Sequence, residues 1–188
     1  MNLADHIRDI PDYPRPGVLY RDISPLLADG AALKHAVAAM ADPFAGQVDV
    51  VVGIEARGFV FAAGVALHLG VGFVPVRKPG KLPRDVHSFK YDLEYGSDEL
   101  QMHTDGIAAG VRVLVVDDVL ATGGTAEACT RLIAKTDAKV VGCSFLIDLV
   151  RLGGADRLMP HRVESVIRYD QDDHEAELSP SSLGGIDT

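Results

Sequence analysis

Cysteine is scarce in this chain: Cys129 and Cys143 are the only two among 188 residues. Both lie inside apolar patterns, so they read as reduced core residues of a cytoplasmic protein and not as a disulfide framework. No His/Cys grouping has zinc spacing, and none of the seven histidines pairs with another at i, i+4. No apolar run is long enough to span a membrane. The N-terminus lacks the basic-then-apolar order of a secretory leader. No segment repeats. Positive charge is in deficit, with a formal net charge of −9, which argues against a nucleic-acid binder. What remains is a chain long enough for one domain with a full core.

Buried strands and helices alternate along it. Leu33, Val37 and Met40 define an amphipathic helix between Gly30 and Ala41, stopped by Pro43. Val48 to Ile54, Val71 to Arg77, Val111 to Val116 and Val140 to Leu149 read as four core strands. Arg57 to Leu69 is apolar nearly all round, as in a helix inside a layer. After Gly124, the positions Ala128, Cys129, Leu132 and Ile133 form the inner face of another helix. This order predicts an α/β fold: one domain over residues 1–169, with a central parallel sheet and helices on both faces. Pro11, Pro14 and Pro16 make the first residues extended. Between Lys78 and Gln101 the alternation breaks into a charged, Pro- and Gly-punctuated insertion, with room for a short hairpin. Residues 170–188 form an acidic, Ser/Pro/Gly-rich tail whose composition predicts disorder.

The most specific segment is Val113-Leu114-Val115-Val116-Asp117-Asp118-Val119-Leu120-Ala121-Thr122-Gly123-Gly124-Thr125. A strand buried on both faces ends in two carboxylates, where open α/β sheets place their ligands. Gly123 and Gly124 let the backbone approach a ligand, and the loop amides open onto a helix N-terminus. Those amides, with the hydroxyls of Thr122 and Thr125, suit a phosphate. The paired carboxylates suit vicinal hydroxyls. Together they specify a ribose phosphate.

A second strand-loop-helix junction, Gly53-Ile54-Glu55-Ala56-Arg57-Gly58-Phe59, can face the same ligand. Arg57 at a helix start suits a diphosphate, although pairing with Glu55 would serve it as well. Arg77, Lys78, Lys81 and Arg84 form the local basic cluster that an acidic chain needs if its substrate carries phosphates. A solvated basic loop explains Arg84 and Lys90 equally well. In Tyr91-Asp92-Leu93-Glu94-Tyr95-Gly96, Glu94 is either a carboxylate on a lid that excludes water or the exposed side of a hairpin strand.

The Asp-Asp and Thr-Gly-Gly-Thr segment resembles the phosphoribosyl-diphosphate (PRPP) motif of type I phosphoribosyltransferases. With Tyr20 to Leu26, Gly53 to Phe59, Val76 to Pro83 and Asp92 to Gly96, in this order, the chain is similar to the adenine phosphoribosyltransferases from about Pro14 to Leu158. The resemblance implies a type I fold with an N-terminal hood over about residues 1–28 and a flexible lid over about 78–101. It implies transfer of phosphoribose from PRPP to adenine, giving AMP and diphosphate in purine salvage. Asp117 and Asp118 would hold the ribose, and Ala121, Thr122, Gly123, Gly124 and Thr125 the 5′-phosphate. Ala56, Arg57, Arg77, Lys78 and Lys81 would serve the diphosphate. Leu19, Arg21 and Leu149 would border the adenine, and Glu94 would be the acid/base. Mg²⁺ would be held by diphosphate and water with no protein ligand. The resemblance further implies a homodimer in which Arg77 reaches the neighbour's site. A 6-oxopurine transferase would need a Lys near the base, and none follows Phe145 clearly. A PRPP-sensing regulator would need a basic DNA-binding face.

Overall fold

The first residues pair before the sheet begins. In the computed structural model, which describes residues 1–92 and 97–170, β1 (Arg8–Ile10) and β2 (Tyr20–Asp22) are antiparallel, and a short helix, α1 (Ser24–Ala28), follows. The Asp29 carboxylate then accepts from the amides of Ala31 and Ala32 at 2.8 and 3.1 Å and so caps α2 (Gly30–Ala41). Ala32, Ala36 and Met40 form its buried side, with Leu33 and Val37 partly buried beside them.

The alternating pattern continues with β3 (Val50–Ile54), α3 (Gly58–Leu69) and β4 (Gly72–Val76). A hairpin comes next, β5 (Val86–Asp92) and β6 (Ser97–His103). The chain then forms β7 (Arg112–Leu120), α4 (Gly124–Ile133), β8 (Lys139–Leu149), α5 (Gly154–Arg157) and β9 (Val163–Tyr169).

Five strands make one parallel sheet in the order β4-β3-β7-β8-β9. From β3 the chain steps outward to β4; from β7 it steps the other way. The crevice beyond the C-terminal ends of β3 and β7 is therefore the topological switch point, where such sheets bind ligands. Two cores flank the sheet. Met40, Phe61, Val65, Leu114 and Val116 pack on the side of α2 and α3; Val52, Val115, Cys129, Leu132 and Phe145 pack on the side of α4. Burial on both faces is why these strands are apolar without alternation. Cys129 and Cys143 lie free and buried in the second core, and burial pushes the Cys143 thiol up to about 12. At neutral pH it is an inert apolar side chain.

Three features depart from the sequence pattern. β9 is a fifth strand, and Glu164 and Arg168 interrupt its apolar residues, so it lacks the run that marks the other four. β7 continues through Asp117 and Asp118 to Leu120, because β8 keeps pairing with it as far as Leu120↔Asp148. The hairpin is longer than the punctuation suggests, with seven residue pairs from Val86↔His103 to Asp92↔Ser97. Phe89, Tyr91, Leu100 and Met102 turn its apolar side toward the α4 core. The expectation for the acidic tail, 170–188, lies outside the described residues apart from Asp170.

Candidate active site

The loop after β7 is held by close backbone packing. Gly123 has φ +78°, and a Cβ there would fall 2.7 Å from the carbonyl oxygen of Gly154. Only glycine fits both constraints. Gly124 and Thr125 open α4, whose first-turn amides have no acceptor within the helix. Amides and dipole together make an anion seat.

Behind that seat lies the acidic pair. Asp118 is 5% exposed. Asp117 keeps more surface area, yet its carboxyl is deep against the start of α3, where Gly58 leaves room for it. The Asp118 amide donates to Asp117 Oδ1 at 2.9 Å. Burial, and then the charge of Asp118, pushes the Asp117 carboxyl well above the usual carboxylate range. Burial also raises Asp118, opposed by Arg57. Arg57 Nε lies 2.6 Å from Asp118 Oδ2. By distance this is an ion pair, and among the described residues that oxygen receives no hydrogen bond. A buried acceptor without a hydrogen bond is costly, so a ribose hydroxyl that takes the place of Arg57 there gains more than it would at a wet surface.

Gly58 is the sensitive point of this geometry. A Cβ on it would fall 2.5 Å from Asp117 Oδ1 and 3.2 Å from Asp117 Cα. Gly58→Ala is expected to displace the carboxylate and weaken PRPP binding by at least about tenfold, the loss of one charged hydrogen bond. Calorimetric titration with PRPP reads this directly. Unchanged affinity would mean that the Asp117 carboxylate does not need its present position.

The second loop joins β3 to α3 through a cis peptide between Glu55 and Ala56. Arg57 donates to the hydroxyl of Tyr20 on β2, with its Cζ 5.3 Å from the ring centre. Glu55 is taken by a different arginine. Arg77 Nε and Nη2 grip its two oxygens at 3.1 Å each, and the Lys78 amide donates at 2.9 Å. The Arg77 fork holds the Glu55 carboxyl below its usual range, helped by that amide. Arg77 Nη1 also donates to the Lys81 carbonyl at 3.3 Å. Arg77 is thus turned inward and fastens the loop that carries Lys81.

Lys78 meets Asp98 on the hairpin, not an open site. Burial would lower its ammonium, but the Asp98 carboxylate outweighs this and raises it. The Tyr91 hydroxyl lies 3.2 Å from Asp98 Oδ2 and 3.3 Å from Thr125 Oγ1, so the hairpin touches the phosphate loop. Arg21 is buried, its guanidinium 3.8 Å over the ring of Tyr169 and 2.5 Å from Asp9. Tyr169 is the register partner of Leu149, so these residues meet at one end of the sheet. Leu19 precedes them, half-buried. Glu94 lies outside the described residues.

The structure therefore brings Asp117, Asp118, Arg57 and Tyr20 into one cluster and gathers Ala121 to Thr125 beside it. Tyr20, Tyr91 and Asp98 are participants that sequence reasoning did not single out. The only signal for Tyr20 was its place between Leu19 and Arg21.

Fold and site define a phosphoribosyl-transfer enzyme. The family described as "Phosphoribosyl transferase domain" matches residues 25–178. The adenine phosphoribosyltransferase of Rhodopirellula baltica is 63% identical over 180 residues, covering 95% of this chain and 87% of that relative. The crystal structure of adenine phosphoribosyltransferase from Thermoanaerobacter pseudethanolicus superposes with a TM-score of 0.86 at 43% identity, covering 89% and 98% of the two chains. The Saccharomyces cerevisiae enzyme, solved with adenine and an imino-altritol bisphosphate, superposes at 0.82 with 35% identity over 87% and 98%. The chain belongs to the adenine phosphoribosyltransferase family. Its reaction transfers the phosphoribosyl group of PRPP to adenine, giving AMP and diphosphate.

Proposed function

We propose that this transfer takes place in the crevice beyond β3 and β7, with the acidic pair as its anchor. The observation that carries the reading is the buried Asp118 carboxylate, ion-paired with Arg57 but without a hydrogen bond on Oδ2, beside the glycine-built anion seat. Asp117 and Asp118 accept from the ribose hydroxyls, and Ala121, Thr122, Gly123, Gly124 and Thr125 surround the 5′-phosphate. Ala56, Arg57 and Lys81 face the diphosphate, with Arg77 and Lys78 behind them. Leu19 and Arg21 border the adenine largely through backbone groups, and Leu149 packs against it. Residues 1–28 act as the hood and about 78–101 as the lid, within a domain of residues 1–169.

Bond breaking at the ribose C1′ leads, so the transition state has oxocarbenium character. The chain holds both reactants in line and excludes water that would capture the cation. Glu94 takes the N9 proton of adenine. Among the described residues no three His, Cys, Asp or Glu side chains converge on a cation position. The donor set at the site is one carboxyl pair with Arg57 against it, which fits Mg²⁺ arriving on the diphosphate with water as its other ligands. Bound there, Mg²⁺ would supply the positive charge that neutralises the leaving diphosphate.

The working unit is a homodimer. Val60 and Leu67 on α3 and Phe73 on the edge strand β4 are exposed apolar side chains, with Leu67 83% exposed. Sedimentation at micromolar concentration would find a monomer if this is wrong. The protein works in the cytoplasm, in keeping with its reduced cysteines, without nucleic acid or membrane. No helix among the described residues is long and apolar enough to cross a membrane.

Base preference is the test of the activity. PRPP offered with adenine, hypoxanthine, guanine and xanthine in parallel is expected to yield nucleotide with adenine at least about a hundredfold faster, because a buried donor or acceptor left unpaired by an oxopurine is costly. Comparable rates with a 6-oxopurine would refute the adenine reading.

A further inference from the structure

We propose that Tyr20 is a positioning residue: its hydroxyl sets Arg57 for the diphosphate and ties that setting to the arrival of adenine under β2. The proposal rests on the assignments of Arg57 to the diphosphate and of Leu19 and Arg21 to the base.

Arg57 has a long, rotamer-rich side chain that is 42% exposed. Left to itself it would sample many conformations beside the crevice. Two contacts restrict it. Nη1 donates to the Tyr20 hydroxyl, and Nε lies 2.6 Å from Asp118 Oδ2. The Tyr20 ring is itself braced, with Tyr13 edge-on at 5.1 Å and 74°. The chain of contacts Tyr20–Arg57–Asp118 therefore crosses from the hood to the diphosphate loop to the ribose carboxylates.

The place of Tyr20 on its strand gives the chain a direction. Successive residues of a strand point to opposite sides. Arg21 turns to Tyr169 and Asp9, while Tyr20 turns to Arg57. β2 is a three-residue strand paired, among the described residues, only with β1, in register Ile10↔Tyr20 and Asp9↔Arg21. A purine bonded to the main chain of Leu19 and Arg21 fixes the backbone on both sides of Tyr20. Its phenol, and through it the Arg57 fork, is then fixed as well. Adenine so ordered would tighten diphosphate binding, and by linkage diphosphate would tighten adenine binding by the same factor. When diphosphate arrives, Arg57 exchanges Asp118 for the incoming anion while Tyr20 keeps its position. The Asp118 oxygen is then released to the ribose.

The test uses Mg-diphosphate as the probe, which with adenine alone cannot turn over. Wild type, Tyr20→Phe and Arg57→Ala are titrated by calorimetry with and without saturating adenine. Tyr20→Phe keeps the ring, the contact with Tyr13 and the cation–π geometry, and removes one oxygen. It is expected to weaken diphosphate binding roughly three- to tenfold, to lose most of the enhancement by adenine, and to bind adenine alone nearly as before. Arg57→Ala is expected to lose more. If Tyr20→Phe binds diphosphate like wild type with the same response to adenine, while Arg57→Ala does not, the role of Tyr20 is overturned and that of Arg57 stands. An unaffected Arg57→Ala overturns the diphosphate assignment and this proposal together. Equal losses of adenine and diphosphate affinity in Tyr20→Phe would mean general damage to the hood and would also overturn positioning.

Discussion

Replacing Asp117 and Asp118 together by asparagine is expected to remove PRPP binding while leaving a folded, more heat-stable protein. Each carboxylate offers a charge-assisted acceptor to a ribose hydroxyl, worth about 1.5–3 kcal/mol, so losing both weakens PRPP roughly 10²-fold or more. Stability moves the other way. Burial raises both carboxyls above the usual carboxylate range, Asp117 the more strongly. Below the unfolded value both states are protonated and the pair costs nothing. As pH rises past it the unfolded chain ionises first, and the folded state loses stability until the folded value is passed. The gain from asparagine should thus be small near pH 3 and largest at neutral pH. The ion pair that Arg57 loses subtracts little, because that side chain is 42% exposed and water replaces its partner. Calorimetry with PRPP and melting curves at acid and neutral pH read both effects. Unchanged PRPP affinity in a folded double variant would remove the pair from the site.

Glu94→Gln is expected to lower kcat by about 10²–10⁴-fold, the usual worth of a general base. Glutamine keeps the size and the hydrogen-bonding reach but does not take the N9 proton. PRPP affinity should barely change, since the carboxylate is not assigned to a phosphate. The acidic limb of the pH–rate profile should disappear. The residues on either side of Glu94 support the reading. Tyr91, three residues before Glu94, lies 3.3 Å from Thr125 Oγ1, and Asp98, four residues after it, meets Lys78. One flank therefore touches the phosphate loop, and the other the basic segment that follows β4. A kcat within a few-fold of wild type, with the acidic limb intact, would leave the proton to water or to a substrate phosphate oxygen.

What was legible in the sequence follows from how local each signal is. β3, β7 and β8 are buried on both faces, and an unbroken apolar run announces that without reference to any partner. The acidic pair and the glycine loop are adjacent in sequence, so their joint meaning survives in one dimension. β9 was not legible because Glu164 and Arg168 break its pattern, and its strand character comes from pairing with β8. The choice of ion-pair partners was equally hidden. Glu55 lies two residues from Arg57 but pairs with Arg77, 22 positions away, because β3 and β4 run side by side and end together at Ile54↔Val76. Lys78 finds Asp98 only because the hairpin folds back beside it. Such contacts carry no period and no motif. The contact of Tyr20 with Arg57, 37 positions on, is of the same kind.

The most direct measurement of the central claim is a crystal structure of this chain with AMP and Mg-diphosphate bound. The account expects the 5′-phosphate on the amides of Ala121 to Thr125 and the ribose hydroxyls on Asp117 and Asp118. It expects Arg57 moved from Asp118 to the diphosphate, and the adenine between Leu149 and the backbone of Leu19 and Arg21. Phosphate held instead by the basic segment from Arg77 to Arg84, with Arg57 still on Asp118 and the ribose away from the acidic pair, would contradict it.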